Sequence, residues 1–229
     1  YNYNDDLSES KYYARKAYQL SDDINNSLKM SILDDLYSLA YIDADYYEQL
    51  DYINKKYELA LLTGNDSEIA SSLFSKSLIF YFPFKDFDTC NELLNEALSF
   101  KKEIADFNWY ERSIFMMKSK INSRKGDYTQ ALTNFNLSFE IFNKGPMSDF
   151  GIFGHNYNFG QIYYNLGEYQ KAQSHLERAI VIMRVSNAVR YDMGIAIDYF
   201  LNEIMLGNIT SASDIIIDPL DGRSPLMDS

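Results

Sequence analysis

Apolar side chains recur at intervals of three and four residues along most of this chain, in segments that end at glycine, proline or short polar runs. This is the period of an amphipathic α-helix, which buries one face and exposes the other. The pattern predicts an all-α chain of about eleven helices, at 7–22, 26–42, 45–62, 67–82, 86–103, 108–124, 127–143, 149–165, 168–185, 188–206 and 209–217.

One short pattern recurs at a nearly constant spacing in the second half of the chain. It stands at 125–131, 166–172 and 206–212, and its glycines, Gly126, Gly167 and Gly207, are almost evenly spaced. Each glycine suits a helix end that needs a positive φ, and the acidic or amide residue after it suits the start of the next helix. The length of this period predicts a solenoid of antiparallel helix pairs.

These residues resemble the tetratricopeptide repeat (TPR). The best copy carries Gly160, Tyr163, Gly167, Tyr169, Ala172, Leu176 and Ala179, and the copy before it carries Phe115, Gly126, Tyr128, Ala131 and Phe135. A third copy around Cys90 has Lys85 in place of the turn glycine, and a fourth around Tyr46 departs from the pattern at Gln49 and Lys56.

The resemblance implies a right-handed superhelical solenoid of antiparallel helix pairs with a repeat of about 41 residues. A typical TPR is about 34 residues long, so these repeats have room for about one extra turn on each helix. The chain is similar in this respect to the sensor domains of MalT-type regulators and of Rap/PlcR-type peptide receptors. We predict one TPR-like domain over residues 1–217 and a flexible tail at 218–229, where Pro219, Gly222 and Pro225 occur.

Composition narrows the classes of partner. The net charge of −12 and the sequence pI near 4.6 disfavour direct nucleic-acid binding, because no basic stripe offsets them. No apolar run approaches the roughly 18 residues that a membrane span needs, so no membrane insertion is expected.

The lone cysteine, Cys90, is predicted to be a packed thiol. The cytoplasm is the favoured location of the protein, and the periplasm is the alternative.

No catalytic, metal or cofactor motif is recognisable. The two histidines, His155 and His175, lack a paired ligand spacing, and the glycines 151, 154 and 160 lie in a helical pattern without a preceding strand. The sequence thus predicts a non-enzyme without cofactor or metal.

The candidate site is a surface. The TPR resemblance implies that the first helix of each pair lines a concave groove. Asn and Gln side chains can bond an extended peptide backbone there, and Tyr and Met supply adaptable apolar contact. The predicted partner-binding residues are Lys76, Phe82, Met116, Lys120, Tyr157, Asn158, Gln161 and Tyr164.

Two functions are compatible with this sequence. The first is a protein- or peptide-binding repeat module, the sensor or scaffold part of a bacterial regulator. The alternative is a small-molecule-gated oligomerisation domain, in which Gly154 and Gly160 permit close helix approach around a ligand. An open groove would favour the first, and a dry, enclosed pocket beside His155 would favour the second. The sequence makes no prediction of oligomeric state.

Overall fold

The computed structural model describes residues 3–23, 25–104, 107–146, 148–186 and 193–208. Within these ranges the chain is helical and contains no strand. The α-helices are α1 Tyr3–Gln19, α2 Asn26–Ile42, α3 Tyr46–Thr63, α4 Asp66–Tyr81, α5 Phe87–Ser99, α6 Asn108–Arg124, α7 Tyr128–Phe142, α8 Asp149–Asn165, α9 Tyr169–Val185 and α10 Met193–Leu206. The predicted all-α fold is therefore confirmed.

The predicted helix bounds agree closely with these helices. The predictions at 26–42, 108–124 and 149–165 match α2, α6 and α8, whereas α1 begins at Tyr3 and not at residue 7. The predicted helix at 209–217 and the predicted tail at 218–229 lie outside the described residues.

The turns that follow the first helices of the pairs share one backbone conformation. Each contains a residue with a positive φ, namely Ala44 (55°), Lys85 (54°), Gly126 (80°), Gly167 (76°) and Gly207 (83°). In three of these turns the next residue is an aspartate that caps the following helix, where the carboxylates of Asp45, Asp86 and Asp127 accept from backbone N–H groups at 2.9, 3.1 and 3.0 Å. The repeat therefore extends back to residue 44, although two of its turns lack glycine.

The helices divide into two compact units, residues 1–114 and 115–229, with the boundary inside α6. They are called unit 1 and unit 2. The single domain expected over residues 1–217 stays a prediction.

In unit 1, α2 packs on α1 and α3, α3 on α4, and α4 on α5. One core cluster consists of Leu33, Leu36, Ala40 and Tyr52. Cys90 is fully buried, and burial raises the pKa of its thiol to about 12, so the predicted packed thiol is confirmed.

Two buried polar residues explain why the repeat is faint in unit 1. Gln49 and Lys56 occupy positions where other copies have small residues, and both are buried. The Lys56 ammonium lies 2.7 Å from both carboxylate oxygens of Asp34 on α2 and 2.8 Å from Glu68 on α4. Burial alone would lower the pKa of Lys56, but these hydrogen bonds outweigh it and raise the pKa.

In unit 2, α8 packs against α7 and α9, and α9 against α10. The larger core cluster consists of Phe153, Leu176, Ala179, Ile180, Met183, Ile195 and Tyr199. A second contains Phe135, Phe159 and Ile162, with Met116 packed against it. Helix α8 approaches α9 closely at Gly160, where an added Cβ would lie 2.6 Å from side-chain carbons of Leu176.

Candidate functional site

Helix α8 carries four of the eight predicted site residues, and two of them, Asn158 and Gln161, lie on its solvent-facing side. Phe150, Gly154, Asn158, Gln161 and Asn165 recur on this side at helical spacing and are half-buried or exposed. Phe153, Phe159 and Ile162 occupy the buried sides. The expectation that Gly154 permits close helix approach is wrong, because a Cβ there would meet nothing within 4 Å. Only Gly160 of the predicted glycine pair allows close packing.

The two amides of the predicted site lie on one face of α8, as expected. The Asn158 amide donates to the carbonyl oxygen of Gly154, one turn back, at 2.6 Å. The Gln161 amide donates to the Asp198 carboxylate on α10 at 2.8 Å. An amide side chain has two N–H donors and one carbonyl acceptor, so one such bond leaves each group able to bind a further partner.

Asp198 is a candidate site residue that the sequence prediction missed. It follows Asn158 at the same interval that separates Gly167 from Gly207, and so occupies the same repeat position. Applying the period to α10 would have found it. Its carboxylate joins α8 to α10 through Gln161 and adds a negative charge to the face that the two helices share.

Lys120 on α6 is a half-buried cation. It makes no hydrogen bond or ion pair with any residue that the structure describes. Burial lowers the pKa of its ammonium, and the positive charge of Arg124 lowers it further. Lys120 precedes Gln161 at the interval that separates Gly126 from Gly167, so the two have the same repeat position.

The apolar members of the site in unit 2 are partly engaged in the core. Met116 packs against the cluster of Phe135, Phe159 and Ile162. The Tyr157 ring lies 6.0 Å from that of Phe153, and the Tyr164 ring lies edge-on to Tyr169 at 5.6 Å. All three stay half-buried, so each combines a packing role with an accessible edge.

The two remaining predicted residues, Lys76 and Phe82, belong to unit 1. Lys76 is half-buried on α4. Phe82 follows the last residue of α4 and is exposed in the α4–α5 turn, where its ring contacts Tyr81 at 4.8 Å. It thus lies at the end of its helix and not along the helix face. The binding role of all eight residues stays a prediction.

Both histidines are packed among aromatic rings. The His155 ring stacks on Phe142 at 4.1 Å, and its Nδ1 donates to the carbonyl oxygen of Gly151 at 2.8 Å. His175 stacks on Phe159 at 4.9 Å, and burial, followed by the charge of Arg178, lowers its pKa. In the described part of the chain, no group of three or more His, Cys, Asp or Glu residues could hold a metal ion.

Across the described ranges, no helix has the length and apolar character needed to cross a bilayer.

No protein-family model matches this sequence, and no curated protein matches it either. The architecture is similar to that of several solved structures. BtubC from P. vanneervenii superposes with a TM-score of 0.75 at 15% identity, covering 98% of this chain and 91% of BtubC. The chain has a TPR-like helical repeat fold.

Two further structures are of NprR. The apo form of this quorum sensor from B. thuringiensis gives a TM-score of 0.71 at 17% identity over 98% of this chain. NprR in complex with its cognate peptide NprX gives 0.62 at 18% identity over 92% of this chain. The TPR-like chain spans 62% and 60% of these two NprR chains.

Proposed function

We propose that this chain is a protein- or peptide-binding helical repeat module, the sensor or scaffold part of a bacterial regulatory protein, and not an enzyme. The fold supports this proposal, since the structural neighbours include a quorum sensor solved with its cognate peptide. At identities of 18% and 17% that likeness concerns the fold, so the binding role rests on the residues of this chain.

The proposed surface is the solvent-facing side of the first helices of the pairs. Its polar groups in unit 2 are Lys120, Asn158, Gln161 and Asp198, and its apolar edges are Met116, Tyr157 and Tyr164. The amides suit the N–H and carbonyl groups of an extended backbone. We also propose a binding role for Lys76 and Phe82 within unit 1.

The observation that carries the proposal is the state of Lys120. A buried ammonium is costly unless it is paired. Lys56 in unit 1 is buried and meets two carboxylates. Lys120 is half-buried, and no described residue pairs with it. A ligand carboxylate would supply the missing counter-charge, so we propose that the bound segment carries one near Lys120.

The environment of His155 does not favour the small-molecule alternative. An enclosed site beside this ring would need open space, but the rings of Phe135, Phe139 and Phe142 lie within 5.5 Å of it. The proposed partner therefore remains a peptide or protein segment, with no direct nucleic-acid binding by this region.

The test begins with the full chain and a synthetic library of random hexapeptides. Peptides selected on the wild-type chain are titrated against the wild type and the Asn158→Ala and Gln161→Ala variants. Loss of a buried hydrogen bond should weaken binding by about 1–3 kcal/mol. Gln161→Ala should also lower stability slightly, because its bond to Asp198 joins α8 to α10.

The matched control is Asn136→Ala, which removes an exposed asparagine from α7, the second helix of its pair. We expect it to bind like the wild type. Equal affinity of all four proteins for the selected peptides, with unchanged circular dichroism, would show that the binding site does not lie on the face of the first helices.

A further inference from the structure

Unit 1 exposes large apolar side chains at one end of its helices. They lie in and beside the α2–α3 and α4–α5 turns. We call the aromatic edge the exposed Tyr41, Ile42, Tyr46, Tyr47 and Phe82 together with the half-buried Phe84. The exposed fraction is 79% for Tyr47, 68% for Tyr41 and 60% for Phe82. Apart from Phe82, this surface contains none of the predicted partner-binding residues, and the proposed face of α8 and α10 belongs to unit 2.

The two turns form one connected surface through their rings. Helix α3 begins where the antiparallel α4 ends, so residues of the two turns can meet. The Tyr47 ring lies 5.8 Å from that of Phe84, which lies 5.5 Å from Phe80. Aromatic contact thus runs from the start of α3 to the end of α4.

The turn geometry does not require these exposed side chains. The first equivalent turn of unit 2 has the same positive φ, yet it carries Ser123, Lys125 and Thr129 at the repeat positions of Tyr41, Phe84 and Tyr47. These turns share three consecutive residues. A residue with left-handed backbone is followed by an acidic residue and then by an aromatic residue, such as Tyr46 or Tyr128. Exposed rings beyond that shared set indicate an interaction surface.

Charge selects the kind of partner. Residues 41–47 and 80–88 contain four aspartates, Asp43, Asp45, Asp86 and Asp88, but one lysine, Lys85. Lys11 of α1 adds a second cation through its ion pair with Asp43, and an acidic excess remains. Unit 1 as a whole has 21 acidic and 11 basic side chains, a net charge of −10. A second copy of the same edge would bring like charges together, whereas a cationic segment would meet a complementary field.

Unit 1 already shows how a cation packs on its rings. Lys29 lies over Tyr18 at 5.2 Å and Lys55 over Tyr52 at 5.6 Å from the ring centroid. A cation over an aromatic face gains attraction while its aliphatic stem covers apolar surface.

We propose that the aromatic edge is a docking surface for an arginine- or lysine-rich segment of a partner protein. The cationic groups of that segment stack on Tyr41, Tyr47 and Phe82 and approach the neighbouring aspartates. This site is independent of the peptide-binding face of unit 2 and can be tested separately from it.

The probe is a fluorescein-labelled decapeptide of alternating arginine and glycine, titrated by anisotropy against the full chain. A second peptide replaces arginine by citrulline, which keeps the shape and removes the charge. We expect the arginine peptide to bind and the citrulline peptide not to bind. Tyr47→Ser and Tyr41→Ser should each weaken binding roughly five-fold, as for loss of one exposed cation–π contact.

Two control variants separate docking from general attraction to an acidic protein. Leu62→Ser changes a side chain that is 84% exposed near the C-terminal end of α3, away from the edge. Asn136→Ala changes an exposed position of α7 in unit 2. Both should bind the arginine peptide like the wild type. Equal binding by Tyr47→Ser and Leu62→Ser, or by the arginine and citrulline peptides, would overturn the proposal. So would sedimentation showing a wild-type dimer that Tyr47→Ser dissociates, since the edge would then be a self-association surface.

Discussion

Both units have ring contacts between helices of the same fold, but unit 1 also joins its helices by ion pairs. In unit 1, Lys11 and Arg15 on α1 pair with Glu48 on α3, and Lys56 joins α3 to α2 and α4. In unit 2, rings meet across the helices, with Phe135 of α7 4.6 Å from Phe159 of α8 and Phe159 4.9 Å from His175 of α9. Similar helix pairing thus tolerates either polar or aromatic connections.

The net charge also differs between the two units. Unit 1 has a net charge of −10, whereas unit 2 has 12 acidic and 10 basic side chains, a net charge of −2. The excess negative charge of the chain is therefore a property of unit 1. This difference is why we assign a cationic partner to unit 1 and a peptide backbone to the amides of unit 2.

The largest expected effect concerns a position that differs between the units. Ala172 of unit 2 is fully buried, and Gln49 has the same repeat position in unit 1. Ala172→Leu should lower the free energy of unfolding by roughly 3 kcal/mol, because overpacking forces neighbours to move. Urea denaturation followed by circular dichroism measures this. Ser174→Leu, at an exposed position of α9, is the control and should change little. An unchanged midpoint for Ala172→Leu would mean that α9 does not pack in this register.

A smaller effect separates two glycines of α8. Gly160→Ala places a Cβ 2.6 Å from Leu176, whereas Gly154→Ala meets nothing within 4 Å. We expect a net loss of about 1 kcal/mol for Gly160→Ala after overpacking is offset by helix propensity. Gly154→Ala should gain up to about 1 kcal/mol, because alanine favours the helix. The same shift of the thermal midpoint in both variants would contradict the close approach of α8 and α9.

Acid should weaken the ion pairs of unit 1. Burial acts to raise the pKa of Glu48, but hydrogen bonds from Arg15, Lys11 and Tyr52 outweigh it and hold the pKa below the ordinary 4.5. Since the pKa is depressed in the folded chain, the stabilisation is present above about pH 4.5 and is lost as the pH falls through the folded pKa. Glu48→Gln should cost about 1 kcal/mol at pH 7, a value limited by solvent screening, and progressively less in acid.

The loss of stability can be measured by following unfolding with the fluorescence of Trp109. This residue belongs to unit 1, where its ring contacts that of Phe74 at 5.6 Å. Glu58→Gln, at an exposed position on the same helix α3, is the control and should match the wild type at every pH. A deficit for Glu48→Gln that persists unchanged at pH 3 would show that its effect is not ionic.

The smallest expected effect lies in the turns. Lys85 has a φ of 54°, a conformation that favours glycine. Lys85→Gly should stabilise unit 1 by about 0.5 kcal/mol, and Gly126→Ala should destabilise unit 2 by about 1 kcal/mol. Chemical denaturation of both variants checks the pair. Destabilisation by Lys85→Gly would mean that the lysine side chain contributes more than its backbone costs.

Most of the fold was predictable from the sequence, because glycine marks the turns of unit 2 and apolar periodicity marks the helices of both units. The repeat was faint in unit 1 for physical reasons that only the structure shows. Ala44 and Lys85 adopt the left-handed conformation without being glycine, and Lys56 is buried at a small-residue position because two carboxylates meet its charge.

The candidate site was predictable only in outline. The alignment of repeats placed Asn158 and Gln161 on one face of α8, but the contact between Gln161 and Asp198 depends on how α8 and α10 pack. The position of Phe82 in a turn depends on where α4 ends. Ring contacts around His155 join residues distant in sequence, so composition could not predict them.

The most direct test of the proposed binding face is a double-mutant cycle on Lys120. A selected peptide is titrated with its carboxylates intact and with each replaced in turn by the amide, against the wild type and Lys120→Met. We predict that one carboxylate couples to Lys120 by at least about 1 kcal/mol, so its replacement matters in the wild type and not in the variant. Additive effects for every carboxylate, within about 0.3 kcal/mol, would contradict the account.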